Sequence, residues 1–177
     1  MRFIIERVLL ALLCGAWLAG PALAEKADRE QPVHIEADAV HMDDARKTAQ
    51  YEGHVILTQG TMSMLADRID VSQDAQGMDS GVATGKPVHF KQKMDGRDEF
   101  MEADALRVEY DARTELVKLI GSAHLKQGGD DLRGALITYD MNTERYQAQG
   151  SDSGSPAGRV HAVILPRNKG SAGSTKP

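Results

Sequence analysis

One short phrase occurs twice in the chain. Ile35-Glu36-Ala37-Asp38-Ala39-Val40 returns as Met101-Glu102-Ala103-Asp104-Ala105-Leu106. The match extends beyond each copy. Asp44-Ala45-Arg46, Gly53-His54-Val55 and Gln59-Gly60 come after the first; Asp111-Ala112-Arg113, Gly121-Ser122-Ala123 and Gln127-Gly128 come after the second. The offsets run from 66 to 68 residues. A weaker half-step, Ala66-Asp67-Arg68-Ile69 and Gly134-Ala135-Leu136-Ile137, divides each copy, so the spacings are 29, 37 and 31 residues. Periods of this size mark a repeated supersecondary unit whose neighbours share one core. The repeated residues look architectural, not catalytic. Function must be sought in what such an architecture can hold.

Period-two alternation dominates the rest. Val33, Ile35 and Ala37 sit against His34, Glu36 and Asp38. Val55 and Leu57 sit against His54, Ile56 and Thr58, and Met62 and Met64 against Ser63. Ile69 and Val71 face away from Asp70 and Ser72, and Val88 and Phe90 from His89 and Lys91. Leu106, Val108 and Tyr110 alternate with Arg107 and Glu109. Val117 and Leu119 flank Lys118, Ile137 and Tyr139 flank Thr138, and Val160, Ala162 and Ile164 alternate with His161. Such runs are half-buried strands. Gln59-Gly60, Gly77, Gly85-Lys86-Pro87, Asp95-Gly96, Gly128-Gly129 and Met141-Asn142-Thr143 punctuate them as turns. No 11-residue window keeps a helical period, so the chain is expected to be all-β after its first residues. Two architectures suit it: a sandwich or jelly roll, and an antiparallel solenoid of stacked strand pairs. Either has one apolar inner face and one polar outer face.

Residues 1–24 read as a cleavable signal peptide. Arg2 and Arg7 precede an apolar run, Val8 to Leu18, and Ala22-Leu23-Ala24 is a small-x-small cleavage site. That run is too short to cross a bilayer as a helix. Cys14 raises a lipoprotein alternative, which Leu13 before it disfavours. Cleavage leaves 153 of the 177 residues, one domain by size. It leaves no cysteine, hence no disulfide, and 19 basic against 25 acidic residues, a net charge of −6. That balance argues against a nucleic-acid partner. Only two Phe and four Tyr remain as aromatics, so the interior must be built from aliphatic side chains and Met. Such an interior is either a closed core or a partly open apolar groove. Residues 151–158 read as a polar loop and 167–177 as a flexible tail.

Catalytic and metal chemistry find little support. The six histidines lie far apart in sequence, and His54 and His124 look like outward residues of equivalent strands. The pairs Glu36/Asp38 and Glu102/Asp104 could act as acid and base on a glycan. Their repetition points to architecture instead. Ser151-Asp152-Ser153-Gly154 lacks a partner His motif. No phosphate-binding glycine pattern precedes a helix. The chain is read as a non-enzyme without a cofactor.

Gln31-Pro32-Val33-His34-Ile35-Glu36-Ala37-Asp38 resembles the start of the periplasmic lipopolysaccharide-transport protein A (LptA) family, with its OstA-like repeat. Tyr51-Glu52-Gly53-His54-Val55, Thr58-Gln59-Gly60-Thr61, Ala66-Asp67, Gly85-Lys86-Pro87-Val88-His89-Phe90 and Gly121-Ser122-Ala123-His124-Leu125 carry the resemblance on, over about residues 31–166. It implies a twisted β-jelly roll open at both ends, over residues 25–166. It implies lipid A acyl chains bound inside, with Val33, Ile35, Phe90, Val108 and Tyr110 at groove positions. It also implies a bridge from inner to outer membrane through LptC and LptD. Together with the alternation, the expected groove set is Val33, Ile35, Val55, Leu57, Met64, Ile69, Val88, Phe90, Leu106, Val108, Tyr110, Leu119, Ile137 and Tyr139. Open edges recruit strands. The first edge, Val33 to Ala37, is guarded by Pro32 and the charged arm Glu25 to Glu30. The last, Val160 to Leu165, has no acidic residue and precedes Arg167, Lys169 and Lys176. Head-to-tail pairing is therefore expected, through Val33 and Ile35 at one edge and Val160, Ala162 and Ile164 at the other.

Overall fold

A computed structural model describes residue 28 and residues 31–75, 77–94, 97–143, 145–151 and 158–166. The expected signal peptide, most of the charged arm, the middle of the loop after Ser151 and the basic tail lie outside them. The described residues form ten strands: β1 (His34–Glu36), β2 (Ala39–Asp43), β3 (Thr48–Gln59), β4 (Met62–Asp74), β5 (Gly77–Lys93), β6 (Phe100–Asp111), β7 (Leu116–Gln127), β8 (Asp130–Asp140), β9 (Arg145–Gln149) and β10 (His161–Val163). They make one antiparallel sheet in the order β1-β3-β4-β5-β6-β7-β8-β10, with β2 also on β3 and β9 also on β8. The expected first and last strands are shorter than the alternation suggested.

A line of irregularity crosses this sheet; one further shift lies apart from it, between Ser72 and Gln73 near the end of β4. Register shifts fall between Glu52 and Val55 on β3, Leu65 and Arg68 on β4, and Thr84 and Val88 on β5. They continue between Asp104 and Arg107 on β6 and between Ile120 and Ala123 on β7. The pairings on either side of each shift are neighbours, so the bulges align. The edge strands break at the same level. β1 and β2 are one edge interrupted at Ala37-Asp38, and β9 and β10 are the other, interrupted between Gln149 and His161. A bulge bends its strand and strengthens the twist. Aligned bulges therefore crease the whole sheet.

The crease is written in the local sequence. Gly53 and His54 have φ of 78° and 45°, and Gly121 and Ser122 have φ of 78° and 49°. These left-handed pairs sit at matching places in the two copies of the repeat, and glycine takes the first position at little cost. β5 crosses the crease at Gly85-Lys86-Pro87, where the Lys86–Pro87 bond is cis. The repeated phrase lies beside it each time. The Asp38 amide donates to the Gly53 carbonyl at 3.0 Å, and Leu106 packs over Gly121. His54 therefore corresponds to Ser122, not to His124.

Creasing brings the inner faces of both half-sheets onto one core. Val55, Leu57, Val88, Ala103, Ala105, Ala123 and Leu125 come from one half, and Ile69, Val71, Ala83, Val108, Leu119 and Ile137 from the other. Among the described residues the result is an open β-jelly roll with two edges, built from successive creased strands stacked on one another. The hairpins away from the crease form its two rims. One rim uses Gly60 and Gly128, with φ of 57° and 59°, in two-residue turns. The other uses aspartates that cap their own turns: the Asp43, Asp111 and Asp140 carboxylates each accept two backbone N–H groups two and three residues on.

Candidate functional site

Burial inside the roll is graded. Next to the crease the inward side chains are sealed: Val88 is 0% exposed, Val55 and Ile137 are 1%, and Ile69 is 3%. Two or four residues further along the same strands the inward positions are only half-buried. β5 passes from Val88 to Phe90 and Gln92, and β6 from Ala105 and Ala103 to Met101. In the other half, β6 passes from Val108 to Tyr110, β7 from Leu119 to Val117, and β8 from Ile137 to Tyr139. Ile35, Met62, Met64, Phe90, Met101 and Val117 pack against the core while keeping accessible surface. Burial thus grades from a sealed floor at the crease to a half-buried apolar lining toward the rims.

Cross-strand rows of charge line the outer face. The His89 Nδ1 lies 2.6 Å from Asp104 Oδ1, His124 Nδ1 lies 3.4 Å from the other Asp104 oxygen, and His124 Nε2 lies 2.6 Å from Asp131 Oδ2. Arg133 Nε closes the row on Asp131 at 3.0 Å. The bonds from Arg133 and His124 hold the Asp131 carboxyl down at about 2. A second row pairs the Arg68 guanidinium with both Asp70 oxygens, at 2.8 and 2.7 Å, and with Glu52 at 3.1 Å. Asp38 and Asp104 thus bond histidines, and Glu102 lies 3.1 Å from Lys91. These carboxylates are spent on neighbours across the sheet, which is poor preparation for acid–base work. Among the described residues no group of three or more His, Cys, Asp or Glu is placed to hold a metal ion.

Known proteins share this arrangement. Residues 34–145 match the family described as LptA/(LptD N-terminal domain) LPS transport protein. The lipopolysaccharide export system protein LptH of Pseudomonas aeruginosa is 32% identical over 173 residues, covering 96% of this chain and 99% of its own length. LptA of Escherichia coli K12 is 32% identical over 183 residues, covering 99% of this chain and 96% of its own. The crystal structure of P. aeruginosa LptH, described as the LptA-homologous periplasmic component of a lipopolysaccharide transport device, superposes with a TM-score of 0.70. That match is 32% identical and covers 79% of this chain and 99% of the LptH chain. The chain belongs to the LptA family of lipopolysaccharide transport proteins.

Within this LptA-family fold most of the expected groove residues point inward. Val55, Leu57, Ile69, Val88, Val108, Leu119 and Ile137 form the floor. Ile35, Met64 and Phe90 lie on the half-buried lining. Tyr110 and Tyr139 stand at inward register positions opposite Val117. Two do not fit. Leu106 is 50% exposed on the outer face, because the bulge between Asp104 and Arg107 shifts the alternation by one and turns Ala105 inward instead. Val33 is 47% exposed, one residue before β1 begins, and the ladder does not fix it inward. Val160, Ala162 and Ile164 are all exposed, with only Ala162 inside the short β10.

Other inward residues escape the alternation. Met101, Leu132, Tyr51, Tyr146 and Ala148 pack on the core, as do the small floor residues Ala83, Ala103, Ala105 and Ala123. Met101 was legible, since it occupies the place of Ile35 in the second copy. The alanines gave no signal, because alanine suits either face.

Proposed function

We propose that this chain binds the acyl chains of lipid A between its two half-sheets and carries lipopolysaccharide across the periplasm as one link of a membrane-to-membrane bridge. The graded burial of the interior is the observation that carries this reading. A closed scaffold has no use for half-buried Met62, Met64, Phe90 and Met101 facing its own core, whereas an acyl chain laid along them completes it. Each methylene taken from water contributes roughly 0.8 kcal/mol, so several chains held this way cannot cross an aqueous space unaccompanied. Unbranched Met side chains adapt to chains of varying length. Energy for movement has to come from partners.

The two edges supply the bridge. Among the described residues, β1 and β2 form one edge of the sheet and β9 and β10 the other. An edge that meets the opposite edge of a second copy, or of an LptC-like or LptD-like domain, continues both the sheet and the groove.

Photo-crosslinking residues placed singly at Ile35, Phe90 and Val108 should label lipopolysaccharide, and those at Glu36, Leu106 and Arg107 should not. Leu106 is the sharpest control, being apolar but outside. Equal labelling at Leu106 and Phe90, or none anywhere, overturns the groove and favours a scaffold that binds no lipid.

A further inference from the structure

The rims of the two half-sheets meet through side chains near the C-terminal edge. Tyr146 is the second residue of β9 and Met101 the second residue of β6. Each therefore sits next to a hairpin, on the free rim of its own half. The Tyr146 hydroxyl donates to Met101 Sδ at 3.7 Å, across 45 residues of sequence. Both side chains are half-buried and pack against the core from above. Tyr139, the register partner of Tyr146, stacks on it with ring centroids 4.4 Å apart and planes 15° from parallel. The tyrosine is thus braced from behind, while the methionine opposite is flexible and its sulfur a weak acceptor.

We propose that Tyr146 and Met101 form a clasp across the mouth of the groove, which must part for an acylated ligand to enter or leave sideways. The proposal rests on the groove described under the proposed function. The stacked Tyr139–Tyr146 pair is the fixed jaw and Met101 the moving one. Closed, the clasp retains chains that lie on the floor; open, it exposes Val117 and Met101 to them. The bond between them is weak enough to open without cost to the crease, where the structure is held.

Surface plasmon resonance of the purified protein on immobilised lipopolysaccharide tests it. Tyr146→Ala and Met101→Ala should each raise the association and dissociation rates several-fold, with far-UV circular dichroism unchanged. Tyr146→Phe keeps the stack and loses the hydroxyl, so its dissociation rate should fall between wild type and Tyr146→Ala. The double variant should match the single ones, because they break the same contact. Unchanged rates in both single variants, or additive effects in the double, overturn the clasp. If Tyr146→Ala does not fold, Tyr146→Phe and Met101→Leu carry the same test. A wild-type protein that does not bind lipopolysaccharide overturns the groove and the clasp with it; one that binds, with rates indifferent to these variants, overturns the clasp alone.

Discussion

Gly53 and Gly121 adopt the same left-handed backbone, φ 78° in both, on strands β3 and β7. They lie 68 residues apart and mark the crease in each copy of the repeat. The residues beside them differ. A Cβ on Gly53 would collide with the Asp38 carboxylate, whereas one on Gly121 would press on Leu106 at 3.1 Å. The repeat therefore preserves a bend more faithfully than it preserves contacts.

Substitution at the crease should cost stability in proportion to that crowding. Gly53→Ala should destabilise by about 1–3 kcal/mol, from a left-handed alanine plus the clash with Asp38, and Gly121→Ala by less. Ser122→Gly should be neutral or stabilising by up to ~1 kcal/mol, since Ser122 already holds φ 49°. Urea unfolding midpoints would check all three. Equal losses at Gly53 and Gly121 would show that the carboxylate moves freely.

Floor and lining should differ in the same experiment. Ile137→Ala removes a side chain 1% exposed and should cost ~2–5 kcal/mol. Phe90→Ala, at a half-buried position, should cost clearly less than the ~3–5 kcal/mol of a sealed phenylalanine. A full-sized loss at Phe90 would mean the groove is closed there.

The outer row around Asp131 should give an acid-sensitive component of stability. Its folded pKa lies near 2, below the ordinary 3.8, because Arg133 and His124 bond the ionised form. A carboxyl depressed in this way contributes stability that is fully present above about pH 4 and is lost as pH falls toward 2. Asp131→Asn should flatten thermal unfolding midpoints over that window. Retention of the full acid slope in the variant would assign it to other carboxylates.

Asp28 should anchor the chain ahead of β1. The residue is 6% exposed, and its carboxylate accepts from the Thr61 amide at 2.9 Å, the Thr61 hydroxyl at 2.5 Å and Gln92 Nε2 at 3.1 Å. Burial pushes this carboxyl up, but the bonds from Thr61 and Gln92 outweigh it and hold it low. Asp28→Ala should speed hydrogen exchange of the Thr61 amide by about tenfold, the loss of one charge-assisted bond. Exchange as slow as in wild type would show that the turn itself protects that amide.

Deleting residues 160–177 should leave a folded monomer. β10 covers only Asp131, Leu132 and Arg133 of β8, so its loss removes an edge and little core. Sedimentation should show mass rising with concentration for the full chain and constant mass for the truncation. Rods that persist without β10 would place the contact elsewhere.

Much of this protein was legible from residues alone. Alternation at Val55/Leu57, Val88/Phe90 and Ile137/Tyr139 identified strands and their inward faces, because the period of two is a property of the extended backbone itself. The repeat aligned Gly53 with Gly121, but nothing in it marked them as bends; their left-handed backbone emerges only in the folded sheet. What failed did so where one residue is inserted into a strand. The bulge in β6 turned Leu106 out and Ala105 in, and nothing in Asp104-Ala105-Leu106-Arg107 distinguishes a bulged strand from a regular one; the partner strands decide it.

The sequence by itself determined an all-β chain with an aliphatic inner face and a repeated plan, because backbone period and side-chain polarity are local properties. Only the tertiary structure decided that the bulges align into one crease, that burial fades from Val88 to Phe90, and that Tyr146 reaches Met101. Those are relations between strands far apart in sequence. They exist only once the two half-sheets have folded onto each other.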